Sequence, residues 1–163
     1  MMPTTIARAL LGALLTAALL AGATASASPV EADALLLCLQ SAYTNDARTN
    51  CIGRVAKPCL AEAEHVAGDV MRLGASAACY DREATAWEAV LHRAVAARHA
   101  DDPLMIAGHI DPILKRWHAL AEVKCGLFLE HRSYGYVGLE LAAECRMRET
   151  AGMALFVGYE MDG

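Results

Sequence analysis

The stretch CGLFLEHRSYGYVGLELAAEC, residues 125–145, has a cysteine at each end and a glycine at its centre. Its two ends are mostly apolar, whereas its middle is polar and rich in glycine, which is typical of a turn. In an antiparallel hairpin, residues at equal distances from the turn lie opposite each other. The stretch therefore predicts a helical hairpin centred on Gly135, with Cys125 facing Cys145 across it.

The other four cysteines repeat this pattern, because the midpoint of each consecutive pair falls on a turn signal. The pairs are Cys38 with Cys51, centred between Thr44 and Asn45, and Cys59 with Cys79, centred on Asp69 beside Gly68. Packed helices lie about 8–10 Å apart, so facing cysteines can reach the Cα separation of about 5.5–6 Å that a disulfide needs. The spacing thus predicts three disulfides between consecutive cysteines.

A different pairing of the cysteines remains open at this point. The midpoint of Cys79 and Cys125 is Asp102, which also lies in a turn signal. Six cysteines allow 15 connectivities, and sequence alone does not choose among them.

The N-terminal segment indicates the compartment. Residues 1–27 contain one charge, Arg8, then an uncharged apolar run, then Ala25-Ser26-Ala27, the small-x-small form of a signal-peptidase site. We therefore expect a cleaved signal peptide over 1–27 and a single exported domain over 28–163, periplasmic or secreted. No later stretch is long and apolar enough to span a membrane. An even number of cysteines in a small exported domain is typical of disulfides.

The rest of the chain favours helices. Alternating β-branched runs are absent, and Ala, Leu, Glu and Arg dominate. We predict an all-α fold, a small bundle of about five helices arranged as disulfide-stapled hairpins. The predicted helices cover about 31–43, 46–56, 58–65, 76–99, a segment from Asp111-Pro112 onward, and 137–157, with a loop or broken helix over 68–74. Their predicted buried stripes include Ile113 and Leu120 in the penultimate helix and Leu139 in the last.

Three ordered fragments resemble a known family. They are CIGRVAKPC (51–59), ACYDREATAWEAVLHR (78–93), and WHALAEVKC (117–125) followed by CRMRET (145–150). They are similar to the LprI-like lysozyme inhibitor family of secreted bacterial proteins. The positions that match its motifs are Cys79, Glu83, Trp87, Leu91, Trp117, Cys125, Cys145, Arg148 and Thr150. The resemblance covers nearly the whole mature chain and implies a cell-envelope protein that inhibits lysozyme-like muramidases.

The residues matching that family have ordinary structural interpretations. Trp87 and Trp117 lie on apolar helix faces and are predicted core tryptophans. Glu83, one turn before Trp87, is expected to bond the Trp indole or to pair with Arg148. Thr150 is expected to pack in the buried stripe of the last helix.

The best candidate for a contact surface is the tip of the hairpin from which we started. Arg132, Tyr134 and Tyr136 are residue types favoured in protein-binding patches. The whole chain has a formal net charge of −5, and removal of Arg8 makes it −6. That balance argues against a nucleic-acid partner and suits a basic protein partner.

We predict no enzyme activity, cofactor or metal site. The six histidines are dispersed, and no nucleophile–base motif or phosphate-binding loop is present in the sequence. The alternative to a lysozyme inhibitor is a structural or accessory envelope protein with an unidentified protein partner.

Overall fold

The computed structural model describes residues 29–161, and within that range the chain is helical with no strand. Five of the helices have eight residues or more, as the predicted all-α bundle requires. The elements are α1 (Pro29–Ser41), α2 (Asn45–Thr49), α3 (Ala56–Ala63), α4 (Asp69–Asp101), α5 (Pro103–Met105), a π-helical turn (Ile106–Ile110), α6 (Asp111–Glu130), α7 (Val137–Leu155) and a second π-helical turn (Phe156–Glu160). The predicted signal peptide lies outside the described residues.

Helix α4 is the centre of the fold. Its 33 residues give it a length of about 50 Å, and α7, α3 and α1 all pack on it. Helix α7 runs parallel to α4, since Arg146 bonds Asp81 near one end and the Arg98 side chain bonds the Val157 carbonyl near the other. The loop predicted over 68–74 is wrong: the helix starts at Asp69, directly after Gly68. Packing against α3 outweighs the weak helix signals of that segment.

The N-terminal third begins helices at positions that differ from the prediction. Thr44, rather than Asp46, caps α2, and its hydroxyl accepts the Ala47 N–H at 3.1 Å. Helix α2 ends at Thr49, and turns replace the helix predicted up to Lys57. Pro58 lies inside the first turn of α3 rather than opening the helix. Proline is tolerated there because the first-turn N–H groups have no intrahelical acceptor.

The connection from α4 to α6 contains the predicted cap but not the predicted second start. Asp102 accepts the Met105 N–H at 2.9 Å and so caps α5. From Pro103 the chain stays helical through the π-helical turn into α6, so Asp111 continues a helix rather than starting one. Ile106 and Ile110 are both buried in the core, which anchors this junction.

The core lies between α4, α7 and α1. Trp87 is fully buried at its centre and packs with residues from each of these helices. The other large members with almost no exposed surface are Leu35, Leu39, Ile106, Ile110, Met147 and Val157. Alanines fill much of the remaining space, which keeps the helices close together.

Three disulfides join the cysteines in consecutive order, as predicted. Cys38–Cys51, Cys59–Cys79 and Cys125–Cys145 have Cα separations of 5.9, 5.6 and 5.5 Å. The second ties α3 to α4 and the third ties α6 to α7. Ion pairs also link the helices, including Arg93–Asp33 between α4 and α1 at 3.0 Å and Arg146–Asp81 between α7 and α4 at 2.7 Å.

Three predicted buried positions face solvent instead. Ile113 and Leu120 on α6 and Leu139 on α7 are all exposed. Helix α6 packs on α7 and has little contact with α4. Because only one side of α6 is covered, a wide apolar stripe cannot be buried there.

Candidate functional site

The hairpin tip is held by a close approach between α6 and α7. At Gly138, an added Cβ would lie 2.2 Å from the Phe128 carbonyl oxygen, so only glycine allows this spacing. Further along, the Cys125–Cys145 disulfide joins the two helices, and Lys124 pairs with Glu149. The turn between the helices is thus supported by a rigid base.

The turn itself is closed by backbone hydrogen bonds and aromatic packing. The Tyr134 N–H donates to the His131 carbonyl, and the Val137 N–H donates to the Tyr134 carbonyl, both at 3.1 Å. The Tyr134 ring packs edge-on against Phe128 with centroids 5.3 Å apart. The His131 ring lies 5.6 Å from it, and His131 Nδ1 is 2.6 Å from the Ser133 hydroxyl.

A cavity of about 480 Å³ opens beside this cluster. Its walls are mainly apolar and aromatic, with charged groups at the rim. They are formed by Lys124, Leu127, Phe128, Glu130, His131 and Tyr134. A cavity with this lining suits the insertion of an apolar or aromatic side chain from another protein.

The structure brings the three predicted contact residues together on this one turn. Tyr136 is 65 % exposed and Tyr134 is 39 % exposed, and Arg132 is also exposed. The tip therefore presents two phenol rings and a guanidinium to solvent beside the cavity. Aromatic and arginine side chains provide most of the binding energy in many protein interfaces.

Glu83 has a different surrounding, because it is completely buried. Its Oε1 accepts the Gly53 N–H at 2.5 Å and the Trp87 indole N–H at 3.0 Å, and its Oε2 accepts the N–H groups of Val55 and Ala56 at 2.9 and 2.6 Å. The predicted Trp87 bond is confirmed. The predicted pairing with Arg148 is wrong: Arg148 bonds Glu144, one turn earlier on α7, at 2.7 Å.

The Glu83 carboxylate acts as the N-terminal cap of α3. Val55 and Ala56 open that helix, and no side chain of the segment itself caps it. Gly53 adopts φ +91°, a conformation that side chains disfavour, and so turns its N–H toward the same carboxylate. A negative charge at a helix N-terminus is favourable. Glu83 thus organises the CIGRVAKPC loop, which explains its position in the sequence without any catalytic role.

The remaining framework residues divide between core and surface. Leu91 and Thr150 are buried, and the Thr150 hydroxyl donates to the Arg146 carbonyl at 2.9 Å. Trp117 is only half-buried, in contrast to the predicted core position. Its ring lines a second cavity of about 280 Å³ between α4, α6 and α7, together with His118 and Glu122 among others.

The chemistry available at the tip is that of binding. Among residues 29–161, no three His, Cys, Asp or Glu side chains are grouped so as to hold a metal ion. All six cysteines are disulfide-bonded.

Sequence reasoning missed a second exposed feature, on the outer side of α6. Leu120, Val123 and Leu127 are 65, 67 and 56 % exposed, and we call these three residues the outer stripe. The signal was present in the sequence, since α6 has apolar residues on two opposite faces. Only the structure shows which face α7 covers.

No helix in the described part of the chain is both long and apolar enough to cross a bilayer. Compared with models of protein families, with curated proteins and with solved structures, the chain gives no match.

Proposed function

We propose that this chain is a non-enzymatic binding protein of the bacterial cell envelope that engages a protein partner through the tip of the α6–α7 hairpin. The observation that carries the proposal is the juxtaposition of exposed Arg132, Tyr134 and Tyr136 with an apolar cavity on a disulfide-supported turn. Such a turn loses little conformational entropy on binding. The three disulfides fit an oxidising compartment, in agreement with the leader-like N-terminal sequence.

The proposed partner is a lysozyme-like muramidase. The motif resemblance described above supports this partner, and so does charge: removal of the leader leaves a net charge of −6, and many lysozymes are basic. Opposite net charge speeds encounter. Muramidase clefts contain two catalytic carboxylates, and the Arg132 guanidinium is a suitable donor to a carboxylate. Tyr134 and Tyr136 would pack at the edges of the cleft.

A turbidity assay tests this proposal. Purified oxidised protein is mixed with a basic lysozyme, and the clearing of a bacterial cell suspension is followed. We expect inhibition at micromolar protein, and we expect the double variant Arg132→Ala/Tyr136→Ala to weaken it at least about tenfold. Tyr43→Ala is the matched control, because Tyr43 is 89 % exposed on a different part of the molecule. Absence of inhibition at a large molar excess would rule out this partner.

The outer stripe of α6 favours a second candidate, a structural or accessory envelope protein. Exposed apolar side chains in a row on one helix face mark an assembly surface. In that case the protein would leave lysozyme fully active, and substitutions in the outer stripe rather than at the tip would abolish its assembly.

A further inference from the structure

Helix α6 has two opposite apolar faces, and only one of them is covered. At 100° per residue, the side that packs on α7 includes Ala121 and Cys125, which are buried. Val123 points the opposite way, and Leu120 and Leu127 lie within about 60° of it. The outer stripe is thus centred on Val123, near the middle of the helix.

The residues around the outer stripe are arranged symmetrically about Val123. Arg116 precedes it by seven positions and Glu130 follows it by seven, so opposite charges lie about 10 Å to either side. Beside the stripe stand two small residues, Ala119 and Gly126, also nearly equidistant from Val123. A Cβ added at Gly126 would meet nothing within 4 Å, so there is open space here for another chain.

We infer that the outer stripe is a homodimer interface in which α6 of two copies pack antiparallel about a two-fold axis through Val123. This arrangement places Val123 against Val123 of the partner subunit and Leu120 beside the partner subunit's Leu127. Ala119 and Gly126 let the backbones approach closely. Apolar burial drives the association, and the small residues permit dense packing.

Charge selects both the occupant and its direction. In the antiparallel arrangement Arg116 lies level with Glu130 of the partner subunit, and the same pair forms again on the other side of the axis. A parallel pair of helices would instead place Arg116 near Arg116 and Glu130 near Glu130, which is repulsive. A stripe flanked by opposite charges at equal distances is self-complementary, as a two-fold interface requires.

The contact has the size of a weak dimer. One pair of 20-residue helices spans about 30 Å and lies near the lower end of the roughly 1,200–2,000 Å² usual for stable complexes. We therefore expect dissociation in the micromolar range. The dimer is independent of the proposed lysozyme binding, because Arg132 and Tyr136 lie beyond the end of α6.

Analytical ultracentrifugation of the purified oxidised protein, alone, at about 1–200 µM tests the inference. A concentration-dependent dimer is expected, and Val123→Arg is expected to raise its dissociation constant at least about a hundredfold. Leu37→Arg is the matched control, since Leu37 on α1 is also 67 % exposed. Circular dichroism checks that both variants remain folded, and Leu120→Arg serves as a second disrupting variant. A monomer throughout the range, or a dimer that tolerates Val123→Arg, overturns the inference.

A charge exchange tests the antiparallel direction. Arg116→Glu and Glu130→Arg each create two like-charge contacts, so each is expected to weaken the dimer at least about tenfold at low salt. The double variant Arg116→Glu/Glu130→Arg restores both pairs and is expected to return the dissociation constant to within about threefold of the original. A double variant as weak as the singles overturns the arrangement. Because lysozyme is absent from these measurements, their failure leaves the turbidity result unaffected, and the reverse is also true.

Discussion

Replacing Glu83 by glutamine changes one buried atom and almost no volume. The carboxylate accepts four N–H bonds, two at each oxygen. An amide keeps one acceptor oxygen and replaces the other by an NH₂ group, which is itself a donor. Whichever way the amide is turned, two N–H groups lose their acceptor and face another donor.

The expected cost follows from those two orphaned donors. A buried N–H without a partner costs about 1–3 kcal/mol, and loss of the charge at the start of α3 costs about 0.3–1 kcal/mol more. Removal of a buried charge offsets part of this, because an amide is cheaper to desolvate. We expect a net loss of about 3 kcal/mol in the free energy of unfolding, and a fall in Tm of roughly 10–15 °C for a chain of this size.

Thermal unfolding followed by circular dichroism, with the disulfides intact, measures this loss. Glu88→Gln is the control: it makes the same substitution on the same helix at an exposed position, so it is expected to change stability by less than about 0.5 kcal/mol. Hydrogen exchange adds a local readout, since the amides of Gly53, Val55 and Ala56 are expected to lose protection. If Glu83→Gln unfolds within 1 kcal/mol of the original protein and those amides stay protected, the proposed capping role is refuted.

Three further predictions concern the hairpin and the core. Gly138→Ala is expected to cost about 1–3 kcal/mol in urea unfolding, because its methyl group would overlap the Phe128 carbonyl; Gly152→Ala, in open space on the same helix, is expected to stabilise instead. The double variant Cys125→Ala/Cys145→Ala opens a loop of 20 positions and is expected to cost about 3 kcal/mol in the same assay; no loss would contradict the role of the hairpin as a staple. Burial, with the nearby carboxylates of Glu144 and Glu140, raises the pKa of the Tyr80 hydroxyl above 10.0. The folded state therefore holds that proton more tightly, and stability present below pH 10 is expected to fall as the pH rises through the folded pKa. Tyr80→Phe should remove that part of the alkaline decrease, and an unchanged pH profile would contradict it.

The elements with strong local signals could be predicted from the sequence. The cysteine midpoints located the α3–α4 and α6–α7 hairpins, and Asp102 before Pro103 identified the cap between α4 and α5. The three tip residues share a turn that their own stretch already encodes. Each of these signals lies within a few residues of the feature it predicts.

The features that depend on partners distant in sequence could not be predicted. Glu83 caps a helix that starts 27 positions earlier, and no local pattern announces such a contact. The exposed positions of Ile113 and Leu120 follow from the absence of a second neighbour for α6, which helical periodicity cannot reveal. The same limit applies to residues 69–74, where tertiary packing on α4 decides the conformation.

The consecutive order of the disulfides has a consequence for how the protein matures. Each bond closes a short loop of 13 or 20 positions, and no bond spans another. A chain that emerges from a translocation channel N-terminus first exposes both members of each pair before any member of the next. A thiol oxidase that joins cysteines in their order of appearance therefore makes only native bonds, and maturation requires no disulfide isomerase.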